Sequence, residues 1–128
     1  MAVDILADAL NKIKLYDRNG KRECSVKYSK LLENVLIQLR DHGYVESVEK
    51  VEDGKGGRLE VKLKGAIKEL AVIKPNKPVK KHEWYTIEAM YLPAIGYGRL
   101  IVTTPKGVIT NEEAREQKLG GRLIAYVF

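Results

Sequence analysis

The stretch "RLIVTTPKGVITNEEAREQKLGGRLIAYVF", Arg99 to Phe128, decides how the rest of the chain is read. "RLIVTT" is a near-continuous apolar run, as a buried strand would be. Two hydroxyls, a proline, a lysine and a glycine follow within five residues, Thr103 to Gly107, and predict a loop. Thr110 is followed three residues later by Glu113, a capping box that opens a helix through Lys118. Gly120-Gly121 reads as the end of that helix, and "RLIAYVF" as a final strand. The question is whether this strand–loop–helix unit is a catalytic elbow, a phosphate cradle or a binding surface.

Working back from it, "KPNKPVKKH" holds Lys74, Lys77, Lys80 and Lys81, two prolines and no acid, and predicts a short basic connector. Before it, "AIKELAVIKP" is a strand candidate, and "RLEVKLK" alternates with Leu59, Val61 and Leu63 inward. "DGKGG" separates that strand from the one before it, which predicts a hairpin. Ser29 is positioned to cap a helix whose Leu32, Val35, Leu36 and Leu39 form one stripe, and Gly43 to end it. "RECSVKYS" looks extended. Val3, Leu6, Ala7, Leu10 and Ile13 recur at helical spacing and predict a first helix ending before Asn19-Gly20. Helices and hairpins without a regular βαβ rhythm give an α+β class. The expectation is two small α+β domains: 1–65, with two helices and a hairpin, and 66–128, joined by the connector.

The chain has 128 residues, 45% of them apolar and 31% charged, which describes a globular protein. Lys+Arg 23 against Asp+Glu 17 gives +6. That excess fits a polyanionic partner, nucleic acid above all, or a solubilising surface. Residues 1–65 carry 13 basic and 11 acidic side chains and residues 66–128 carry 10 and 6, so the excess is expected towards the C-terminal half. One cysteine, Cys24, permits no internal disulfide and suits a reducing cytoplasm. Asp4 and Asp8 among the first apolar residues argue against a secretory signal, and no apolar run reaches membrane-spanning length.

Chemistry finds little support. "TTPKG" and "DGKGGR" both lack the spacing of a nucleotide-binding loop. There is no Gly-x-Ser-x-Gly, and His42 and His82 are isolated, so neither a nucleophile elbow nor a metal site is specified. Glu112 and Glu113 fall in a first helical turn, where the helix dipole accounts for acids. No cofactor is expected. Short donors on Thr103, Thr104 and Thr110, the amides of 106–108 and the charge of Lys106 instead suit phosphates, 2′-hydroxyls and base edges. Trp84, Tyr85, Tyr91 and Tyr97 lie in the same half, with core the favoured reading for Trp84 and Tyr91.

These residues resemble one family from end to end: ribosomal protein eight of the small subunit, in the archaeal and eukaryotic form also called fifteen-A. "DILADALNKI", "HGYVESVEKVEDGKGGRLEVKLKG" and the whole of "IKPNKPVKKHEWYTIEAMYLPAIGYGRLIVTTPKGVITNEEAREQKLGGRLIAYVF" carry the likeness. It implies two α+β domains and no enzyme activity. It implies binding to a helical element in the central domain of small-subunit ribosomal RNA and a role in organising that region during assembly. Further partners are neighbouring ribosomal proteins and, compatibly, its own messenger RNA, with no membrane, a monomeric isolated chain and a cytoplasmic place in the small subunit.

The family's loop usually runs Ser-Thr, then Ser or Thr, any residue, and Gly. Thr103, Thr104 and Gly107 match it, while Pro105 removes one hydroxyl and one N–H. Where bacterial members have Gly-Gly-Glu, this chain has Gly120, Gly121 and Arg122, which fits the archaeal form. The implied RNA-binding set is Thr103, Thr104, Lys106, Gly107, Gly120, Gly121, Arg122, Lys74, Lys80 and Lys81, with Tyr85 as a loose match. The rival readings are a free-standing RNA-binding translational regulator, a small enzyme built on Cys24 or Glu112/Glu113, and a protein-interaction module.

Overall fold

The computed structural model describes residues 5–74, 76–94 and 96–128. They form two compact α+β units, 1–68 and 69–128. In the first, α1 (Ile5–Arg18) precedes β1 (Glu23–Lys27), α2 (Lys30–Asp41), β2 (Val45–Val51) and β3 (Arg58–Leu63). The three strands make an antiparallel sheet in the order β1-β3-β2. Ser29 caps α2, its hydroxyl accepting from the Leu32 amide at 3.5 Å. Leu32, Val35, Leu36 and Leu39 are all buried, with Leu59, Val61 and Leu63 from β3. At about 1.5–3 kcal/mol per buried aliphatic side chain, this packing dominates the unit's stability. Gly43 takes the left-handed conformation expected of it, with φ +83. Val3 lies outside the described residues.

The division between units falls after Lys68 rather than Gly65, and Asp17 is the reason. Its buried carboxylate accepts from the Gly65 amide at 2.9 Å and the Ile67 amide at 3.1 Å. That ties residues 65–67 to α1, whereas Glu69 and Phe128 exchange backbone hydrogen bonds within the second unit. The expected charge asymmetry disappears with the shift. Residues 1–68 carry 14 basic and 11 acidic side chains and residues 69–128 carry 9 and 6, so each unit is +3.

The second unit runs β4 (Leu70–Val72), β5 (Pro78–Val79), α3 (Trp84–Tyr91), β6 (Arg99–Thr104), β7 (Gly107–Thr110), α4 (Asn111–Glu116) and β8 (Gly121–Val127). Its sheet has the order β4-β8-β6-β7, with β5 also on β8. The basic segment is thus no connector between domains. Lys74 and residues 76–81 belong to the second unit, where Asn76, Lys77, Pro78 and Val79 bond along one side of β8. Proline is tolerated at Pro78 because β5 is a two-residue strand paired only to β8. The packed core joins Trp84 and Ile87 of α3 to Val79, Leu100, Val102 and Leu123.

Three local readings are corrected here. The loop after Thr104 is a tight turn closing a hairpin, since β7 follows at once. The helix from Thr110 stops at Glu116, and Lys118, not Gly120, takes the left-handed position beyond it, with φ +56. The Leu119 amide donates back to the Ala114 carbonyl at 2.9 Å, which closes that helix end. Finally, α3 has no counterpart among the expected elements.

Candidate nucleic-acid interface

The turn between β6 and β7 is built by its own residues. Thr103 lies opposite Val108 and Thr104 opposite Gly107, leaving Pro105 and Lys106 at the corners. Proline pre-sets the backbone angle at a first corner, and its missing N–H is harmless there. Gly107 has φ +110, a conformation in which side chains are strained. Thr104 locks the turn: its hydroxyl accepts from the Lys106 amide at 3.1 Å and donates to the Gly107 carbonyl at 2.9 Å. The Thr104 proton and the Lys106 amide are therefore spent within the turn, contrary to the expectation that both face a ligand. Thr110 is likewise withdrawn, being fully buried as the cap of α4. Thr103 is exposed, and its hydroxyl has no partner among the described residues.

Gly120 and Gly121 bring the neighbouring strands to this turn. A Cβ on Gly121 would stand 2.6 Å from the Thr103 carbonyl oxygen, and one on Gly120 would stand 2.7 Å from that of Val79. Only bare backbone fits between those carbonyls. The pair thus serves close approach rather than ending a helix. Arg122 is opposite Thr103 on one side and Pro78 on the other. These exposed side chains share one face of the sheet, because directly paired residues point the same way. Lys80 and Lys81 pass beside Gly120, with the Lys80 amide held by the Glu83 carboxylate at 2.8 Å.

Ile73, Asn76 and Lys77 are each bonded to β8. The Ile73 amide donates to the Ile124 carbonyl, the Leu123 amide to the Lys77 carbonyl, and Arg122 Nη1 to the Asn76 carbonyl at 3.2 Å. This places Lys74 on the β8 flank and adds Lys77, which the sequence reading left out although it belongs to the same lysine run.

Tyr85 stands apart from the turn. It is 68% exposed and lies under the Arg115 guanidinium, 4.7 Å from the ring centroid. Arg115 and Asn111 both bond Glu88, and Arg99 pairs with Glu112 at 2.8 Å. Tyr85 therefore belongs to an α3–α4 polar cluster, and no described contact joins it to residues 103–107. Trp84 is core, and Tyr91 packs partly buried against it. Tyr97 pairs with Phe128 at 6.1 Å between ring centroids.

The remaining chemical candidates are structural. In "DGKGG", Asp53 accepts from the amides of Lys55 and Gly57, so the amides an anion would need are occupied. Those two bonds hold the Asp53 carboxyl below its ordinary range. Glu112 is committed to Arg99. Among the described residues, no group of three or more His, Cys, Asp or Glu is placed to hold a metal ion. Nor is any helix among them long and apolar enough to cross a membrane. Cys24 is buried, and burial pushes its thiol up from the ordinary value. A raised pKa means less thiolate at any given pH. Labelling of Cys24 by a thiol reagent at pH 8 is expected to be at least about tenfold slower in the native chain than in denaturant. Equal rates would restore it as a reactive group.

An exposed hydroxyl, a turn-tip lysine, an arginine and two further lysines thus surround a strip of bare backbone on one unit. Such a face can hold phosphates and read a backbone at short range. Against known proteins, the family model described as ribosomal protein S8 matches residues 4–128.

Proposed function

Because the chain belongs to the ribosomal protein S8 family, and so is a small-subunit ribosomal protein that binds ribosomal RNA and is not an enzyme, we propose how it does so. Its second unit grips a helical element in the central domain of the small-subunit RNA and organises that region during assembly, within the cytoplasmic subunit. The contact set is Thr103, Lys106, Gly107, Gly120, Gly121, Arg122, Lys80 and Lys81, with Lys74 and Lys77 at the flank. Thr104 acts by holding the turn. Arg122 supports the archaeal and eukaryotic form, since a guanidinium suits phosphate where a carboxylate would not.

The observation that carries this reading is the convergence of Thr103, Arg122 and the Lys80–Lys81 segment on the Gly120–Gly121 strip. An A-form helix offers a shallow minor groove lined by 2′-hydroxyls and phosphates. Bare backbone approaches such a groove closely, a lone hydroxyl fixes register, and the cations supply affinity that falls with salt.

The test is binding to a central-domain RNA fragment against an unrelated duplex of equal length, titrated with salt. The fragment is expected to win by orders of magnitude. Lys106→Ala should flatten the salt slope by about one unit and weaken both RNAs alike. Thr103→Ala should narrow the preference and leave the slope unchanged. Equal binding of both RNAs by the wild-type chain would overturn the proposed site.

A further inference from the structure

The first unit carries a cavity of about 600 Å³ that the face on the second unit does not explain. That volume is within the usual range of ligand pockets. Its walls are the end of α1 and the turn into β1, Glu46 of β2, and the end of β3 with the turn after it. Hydrogen bonds fix these walls. Asp17 holds the amides of Gly65 and Ile67, the Lys21 amide donates to the Tyr16 carbonyl at 2.9 Å, and the Leu63 amide to the Arg22 carbonyl at 2.8 Å. Gly20 and Gly65 line the cavity with positive φ, and a Cβ at either would meet nothing within 4 Å. The wall is thus preformed and bare at two points.

Four cations line it: Lys21, Arg22, Lys62 and Lys64. All are exposed, and none has a side-chain ion pair among the described residues. Three acids share the lining: Glu23, Glu46 and Asp17, the last already bonded to the Gly65 and Ile67 amides. An acidic peptide would meet those carboxylates with like charge and has only its backbone amides to offer them. A nucleotide is anionic too, but it keeps phosphate oxygens for the cations apart from the hydroxyl and amino donors that suit the carboxylates.

We propose that this cavity receives an unpaired nucleotide of ribosomal RNA, its flanking phosphates on Lys21, Arg22, Lys62 and Lys64 and its donors on Glu23 and Glu46. The inference rests on the chain's reading as a ribosomal RNA binder and adds a second contact, on the other unit. The first unit's +3 charge, equal to that of the second, is then used rather than incidental.

The test uses the full chain and small-subunit ribosomal RNA transcribed in vitro, with hydroxyl-radical footprinting of the bound RNA. Lys21→Gln combined with Lys64→Gln is compared with wild type, with Lys21→Arg/Lys64→Arg and with Lys106→Ala. The glutamine pair is expected to weaken binding about tenfold, to reduce the salt slope by about 1.5 and to erase one patch of protection. The patch weakened by Lys106→Ala should persist, and the arginine pair should behave as wild type. Circular dichroism melts should match throughout, since these side chains are exposed. Unchanged affinity and footprint for the glutamine pair would overturn the proposal while leaving the second-unit site intact. Unchanged RNA binding with reduced incorporation into subunits would also overturn it, assigning the cavity to a protein. Failure of the wild-type chain to prefer its RNA would instead count against the reading on which both sites rest.

Discussion

Trp84→Ala is expected to destabilise the protein by about 4 kcal/mol, measured by chemical denaturation followed by circular dichroism. Trp84 is 1% exposed and sits with Ile87, Leu100, Val102 and Leu123 in the core of the second unit. Truncation removes the largest side chain there and leaves a cavity that two strands and a helix cannot close. Its indole N–H also donates to the half-buried Leu119 carbonyl at 2.9 Å, which would lose its partner at a further cost of about 1 kcal/mol. Domains of this kind are stable by about 5–15 kcal/mol in total, so the loss is a large share. Trp84→Phe keeps one aromatic ring while losing the donor and part of the indole's volume, so a smaller loss of about 1–2 kcal/mol is expected. A loss below about 1 kcal/mol for the alanine variant would mean the helix is not anchored by this residue.

Gly121→Ala is expected to lower affinity for small-subunit ribosomal RNA about tenfold to a hundredfold while costing about 1–3 kcal/mol of stability. The added methyl would stand 2.6 Å from the Thr103 carbonyl oxygen and 3.0 Å from Thr104 Cγ2. The first of these is backbone inside a paired strand and cannot move aside alone. β6 must slide on β8, which shifts Thr103, the turn and Arg122 relative to one another. Gly107→Ala is the comparison: nothing lies within 4 Å of its added methyl, and only its φ of +110 is strained. It should cost about 1 kcal/mol of stability and leave Arg122 and Lys80 in place. Wild-type RNA affinity in Gly121→Ala would remove this strip from the binding site.

Signals confined to a few neighbouring residues were legible in the sequence. Ser29 and Thr110 cap their helices through a residue three positions on, so the pattern and the bond are the same local fact. The alternation of Leu59, Val61 and Leu63 likewise states which face is buried. What depended on distant partners was not legible. Gly120 and Gly121 look like a helix stop until β5 and β6 supply the carbonyls they must clear. Lys74 to Lys81 reads as a connector because nothing local shows that Asn76, Lys77, Pro78 and Val79 will bond along one side of β8. The Thr104 hydroxyl appeared available, and only the closed turn shows it bonded twice. α3 escaped notice because its Glu83 cap position makes no side-chain capping bond and its "WYTIEAMY" lacks a polar stripe. The choice of unit boundary decided the charge comparison: moving it from Gly65 to Lys68 transfers one lysine and makes the units equal.

The place of β8 in its sheet bears on how the second unit folds. Leu70 pairs with Val127 and Arg99 with the same residue, so one strand joins partners far apart in the chain. Closing a loop of that span costs chain entropy before any pairing repays it, which slows folding. Until β8 docks, β4, β5 and the apolar β6 each present an unpaired edge on that side, an invitation to pair with another chain. The β6–β7 hairpin can close locally, but the rest of the sheet waits for β8. At high concentration without RNA the refolding yield should therefore fall through aggregation.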